Sequence, residues 1–259
     1  ETKKVGVAYE PIGKAAVLTC IRTASIKDEN ELLLPARNYD PSKVNANAVA
    51  ACKPTTDDLQ GTQKIAEVLK SYADALSELA GDGLASRLND DYDSLVGQIT
   101  KVPGIPANKV SAIGSLVKFV SEIAIAKIQI ASIEEALSHE AAVGTLGDAL
   151  VFVAERNYLG GYSEQLLGQI DAIIADAQTP KLPPLLARMQ IAQVAAERSK
   201  IGDQRAAVAQ LKKAVDQMKV AMADVRANFR KVDDKTRLES IIKYKQEVNA
   251  LYKELVKAF

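Results

Sequence analysis

The sequence predicts an all-α protein: an elongated bundle of long antiparallel helices, preceded by a small N-terminal arm that is irregular or folded as a short β-hairpin. Three observations carry this expectation. Of 259 residues, 47% are hydrophobic but only 5% aromatic, with no Trp, which suits helices packed through aliphatic ridges better than a β-sandwich. Apolar residues recur every three or four positions over long runs. The runs are punctuated by "VPGIP", "NYLGGY" and "TPKLPP", where Pro and Gly end helices.

Residues 1–54 form the predicted arm and 55–259 the bundle, with a subdivision near 179–184. In the arm, "AAVLTCIRTAS" and "ENELLLPARNYDPS" are short apolar runs set among Pro11, Pro35, Pro41 and Pro54, compatible with a hairpin or a wrapped strap. Cys20 and Cys52 both lie here. In an oxidising compartment they could pair and staple the arm to the bundle, whereas in the cytosol they would be two ordinary thiols.

After "KPTTDD", Thr55 or Thr56 is expected to cap a helix with Asp57 and Asp58 in its first turn. Leu59, Ile65, Leu69, Tyr72, Leu76 and Leu79 continue it at helical spacing, and "GDG" at residues 81–83 ends it. A second helix is expected over about residues 84–101, marked by Leu88, Tyr92, Leu95, Val96 and Ile99.

A third helix should begin near Ala107 and contain "SEIAIAKIQIASIEEAL". Ile123, Ile125, Ile128 and Ile130 suggest the alternation of a strand. The longer series Leu116, Phe119, Ile123, Ala126, Ile130, Ile133 and Leu137 is instead a heptad seam. A second apolar stripe at Ile113, Val117, Val120, Ala124 and Ile128 predicts that this helix is covered from two sides. Lys118, Glu122, Lys127, Glu134 and Glu135 interrupt every window of the roughly 20 residues a membrane span needs.

From His139 the helical pattern continues, with a kink expected near "VGTLGD", to the break at Gly160 and Gly161. Another helix should occupy about 163–177. Pro183 and Pro184 can then open a helix of nearly 50 residues reaching about Arg230. Its seam is Val208, Leu211, Val215, Met218, Met222, Val225, Phe229 and Val232. "VDDKT" turns the chain into a last helix through Leu238, Ile241, Val248, Leu251 and Leu255. Residues 74–99 and 148–170 share "DAL", an aligned Ala, and "SLVGQI" against "QLLGQI", an echo that duplication of a helical unit would explain.

The formal net charge is zero, but its distribution is uneven. Residues 181–259 hold 17 Lys and Arg against 9 Asp and Glu. The candidate basic face comprises Lys212, Lys213, Lys219, Arg226, Arg230, Lys231, Lys235, Arg237, Lys243 and Lys245. Such a face either lies against acidic neighbours within the bundle or meets an anionic lipid surface. Sparse aromatic interleaving and intervening acids argue against nucleic acid as a partner.

No reactive constellation emerges, so neither an enzyme, a cofactor nor a metal site is expected. The one histidine, His139, reads as a surface or capping residue rather than a catalytic base. Asp57 and Asp58, and Asp233 and Asp234, stand at expected helix starts; Glu134 and Glu135 form a further acidic pair. "NDDYDS" around Asp90, Asp91 and Asp93 lacks the Gly and terminal Glu of a calcium loop. "GDGLASRL" and "GTLGD" lack the Lys and spacing of a phosphate loop.

The chain begins at Glu1 rather than Met, which suggests a processed protein. Glu10, Pro11 and Lys14 interrupt the apolar stretch a secretory signal would need, and Thr19 is bulkier than the residue expected before a lipidated Cys20. "SYADALSELA", "NDDYDSLVGQI" and "VPGIP", followed by an aliphatic helix, make residues 56–137 resemble helical envelope proteins and lipoproteins of Gram-negative bacteria. That resemblance implies a periplasmic address and no catalytic residues. The functional expectation is a non-catalytic envelope protein that binds or scaffolds a protein partner by helix-face docking. The alternative is a membrane-active or anionic-lipid-binding helical protein; an enzyme with dispersed carboxylates ranks third.

Overall fold

The computed structural model describes residues 14–32, 40–80, 92–122, 130–160, 162–178, 184–229 and 234–259. Every regular element among them is helical: α1 (Lys14–Leu32), α2 (Pro41–Ala51), α3 (Lys53–Leu79), α4 (Tyr92–Ile99), α5 (Val110–Glu122), α6 (Ile130–Ser138), α7 (Glu140–Tyr158), α8 (Tyr162–Ala177), α9 (Pro184–Asn228) and α10 (Asp234–Ala258). A single 3₁₀ turn at Ala107–Lys109 leads into α5.

The expected irregular or hairpin arm is replaced, in its described part, by α1 and α2. The prolines explain the difference. Pro41 stands in the first turn of α2, behind Asp40, whose carboxylate accepts from the amides of Ser42 and Lys43. Pro54 likewise occupies the first turn of α3, where no amide donor is needed. These residues start helices rather than break a strand. The start of α3 moves accordingly: Cys52 takes the N-cap position, and Thr55 and Thr56 lie inside the helix instead of capping it. The Thr56 hydroxyl donates to the Cys52 carbonyl at 3.2 Å.

Cys20 and Cys52 are bonded to each other, with Cα atoms 5.9 Å apart. The crosslink closes a loop of about 30 residues, for which chain entropy predicts a contribution of about 3–4 kcal/mol. At the start of α1 the amide of Ala16 donates to the carbonyl of Phe259 at 3.2 Å, so the end of α10 satisfies one of the free donors of α1's first turn.

One hydrophobic cluster gathers side chains from α3, α5, α7, α9 and α10, among them Ile65, Leu69, Tyr72, Ile113, Leu116, Leu146, Leu150, Leu211, Val215, Ile241 and Leu251. The seam predicted for α9 is buried from Val208 to Phe229; Val232 lies outside the described residues. On α5 both expected stripes are inside, at Ile113, Leu116, Val117, Phe119 and Val120. Its polar strip at Ser111, Ser115, Lys118 and Glu122 is exposed. Residues 123–129, which hold most of the isoleucine-rich stretch, lie outside the described residues. Beyond them Ile130 opens α6, with Ile133 and Leu137 buried. A second, smaller cluster joins Leu166 and Ile170 of α8 to Val194 and Ile201 in the first half of α9.

The kink expected at "VGTLGD" is absent, and α7 runs through it. Gly147 admits a neighbouring helix instead: a Cβ added there would stand 2.9 Å from Val215 Cγ1 and 3.1 Å from Met218 Cε. The helix break falls earlier, at His139. In the "VPGIP" turn Gly104 has φ of +91°, a region that favours glycine, and Phe152 lies where its Cβ would be.

Candidate functional site

Five cations lie on α9 at an unbroken spacing of seven residues, and each meets a carboxylate of α8 or α7. Arg198 reaches Asp171 at 2.8 Å, Arg205 pairs with Glu164, and Lys212 reaches Glu155 at 3.1 Å. Lys219 then pairs with Asp148 and Arg226 with Glu140. Partner numbers fall as those on α9 rise, so α7 and α8 run against the direction of α9. Seven-residue spacing keeps the cations beside the apolar seam, the flanking position that carries interhelical ion pairs in heptad packing. The rungs are partly solvated, so each is worth at most about 1 kcal/mol, and their main effect is on register.

This arrangement accounts for three of the ten basic candidates, Lys212, Lys219 and Arg226. Lys245 pairs at 3.2 Å with Asp74 of α3, whose side chain is 9% exposed. Arg237 lies with its guanidinium 4.7 Å from the centre of the Phe229 ring and donates through Nε to the Phe229 carbonyl at 2.9 Å. Lys213, Lys235 and Lys243 are exposed, with no ion pair among the described residues. Arg230 and Lys231 lie outside the described residues. Arg198 and Arg205 belong to the same series but were missed as candidates. Their signal in the sequence is the seven-residue spacing from 198 to 226, which a count of basic residues does not display.

Between the last two rungs, α7 and α9 leave an open cleft of about 380 Å³, lined by Glu140, Val143, Gly144, Lys219, Met222 and Arg226. Both cations there already face a carboxylate, and the described lining offers no hydroxyl or thiol. His139 stands at the N-cap position of α7 without a side-chain capping bond. Its ring packs against Phe119 with centroids 5.2 Å apart. Burial pushes the imidazole below its ordinary value, against the opposing pull of Glu135.

Two buried tyrosines frame the centre of the core. Tyr72 donates to the Ala136 carbonyl at 2.8 Å and meets Tyr244 edge to face at 6.1 Å. Burial, with added repulsion from Tyr244 and Glu140, drives the Tyr72 hydroxyl well above the ordinary phenol range. Burial alone does the same to Tyr244, and its hydroxyl finds no hydrogen-bond partner among the described residues.

The acidic candidates separate. Asp57 pairs with Lys53 at 3.2 Å, and Asp58 with Arg156 at 3.4 Å. Asp93 lies in the first turn of α4; Asp90, Asp91 and Asp233 fall outside the described residues. The described residues contain no group of three His, Cys, Asp or Glu side chains able to hold a metal ion. No helix among them is long and apolar enough to cross a membrane.

Along α9 Val220 is 62% exposed, and at the start of the helix Leu185 is 70% and Met189 61% exposed. Ala192 and Ala196 extend this stripe on the same face and are also exposed. The opposite face carries Val194 and Ile201 into the small cluster with α8. No family model, curated protein or solved structure matches the chain.

Proposed function

We propose that this chain is a non-catalytic cell-envelope protein that binds or scaffolds another protein through a face of its longest helix. The observation that carries the reading is the stripe Leu185, Met189, Ala192 and Ala196, turned away from α8 and open to solvent. Spacings of four, three and four residues match the anchor pattern by which a helix docks on a partner's apolar surface. The architecture we associate with this role is an elongated bundle of antiparallel rods. The opposed numbering of the α9 ion pairs supports it, as does a helix of 45 residues, about 70 Å long at 1.5 Å per residue. The bonded cysteines favour an oxidising compartment such as the periplasm.

A lipid-surface role has less support, because five cations of α9 already face carboxylates within the chain. Co-sedimentation with anionic liposomes at low salt tests that alternative, and binding lost on adding salt would revive it.

The protein-binding reading is tested by placing a photo-crosslinking residue at Met189 or, as a control, at the exposed Gln210, and irradiating cells that carry the chain in their envelope. A discrete crosslinked partner from position 189 but not from 210 is expected. Equal labelling from both positions, or none from 189, would remove the proposal.

A further inference from the structure

We draw no further inference here: the strongest candidate, the exposed back face of α9 at Gly202, Ala206, Ala209, Val220, Ala223 and Ala227, opposite its buried seam, is an unpartnered stripe of small side chains, and nothing in the structure shows what covers it.

Discussion

Gly147 of α7 faces Val215 of α9 so closely that a Cβ at position 147 would lie 2.9 Å from Val215 Cγ1. This contact sets how near the two helices approach. Gly147→Ala should destabilise the chain, since overpacking costs about 1–3 kcal/mol against a helix-propensity gain of about 1 kcal/mol. Adding Val215→Ala should recover part of the loss by removing the opposing methyls. Urea unfolding of both single variants and the double variant measures the coupling; strictly additive effects would refute the close contact.

The ion-pair series on α9 predicts a salt signature. Reversing Lys212 and Lys219 to Glu sets like charges against Glu155 and Asp148. Solvated pairs being weak, the double variant should lose about 1–2 kcal/mol at low ionic strength. Most of that loss should vanish in about 1 M salt, where the screening length is about 3 Å. Thermal melts at the two salt concentrations give the comparison, and a loss independent of salt would indicate a packing defect instead.

Tyr72 and Tyr244 should respond oppositely to removal of the hydroxyl. Tyr72→Phe deletes the bond to the Ala136 carbonyl and is expected to cost about 1 kcal/mol. Tyr244→Phe removes a buried hydroxyl that no described group pairs with, so stability should hold or rise slightly. Denaturant midpoints at constant m-value decide between them.

His139 gives stability a dependence on pH. Its folded value is lowered by burial, so the unfolded chain takes up a proton first as pH falls through about 6.5. The contribution is fully present above that value and is lost progressively between it and the lower folded value. His139→Gln should flatten this part of the pH–stability curve. A histidine ring-proton titration with a midpoint at or above 6.5 would contradict the assignment.

Much of the helical order was legible along the chain. The stop at "NYLGGY", the start of α9 at Pro184 and the buried seam from Val208 to Phe229 follow from short-range periodicity and from residues that lack an amide donor or a side chain. The described part of the arm is helical rather than a hairpin because Pro41 and Pro54 stand at helix starts, where the same residue is welcome, and sequence spacing does not distinguish a first turn from a strand edge. Gly147 likewise suggests a bend along the chain, whereas a neighbouring helix is what requires it to be small.

By itself the order of residues determined the all-α class, with its main breaks and the apolar seam of α9 from Val208 to Phe229. Tertiary structure decided which charges neutralise which, and how closely α7 approaches α9. It also left one face at the start of α9 bare. Local periodicity depends on neighbours three and four positions away, whereas these pairings join residues 27 to 86 positions apart. Contacts at that separation arise only once packing of the shared core has fixed the direction and spacing of the helices.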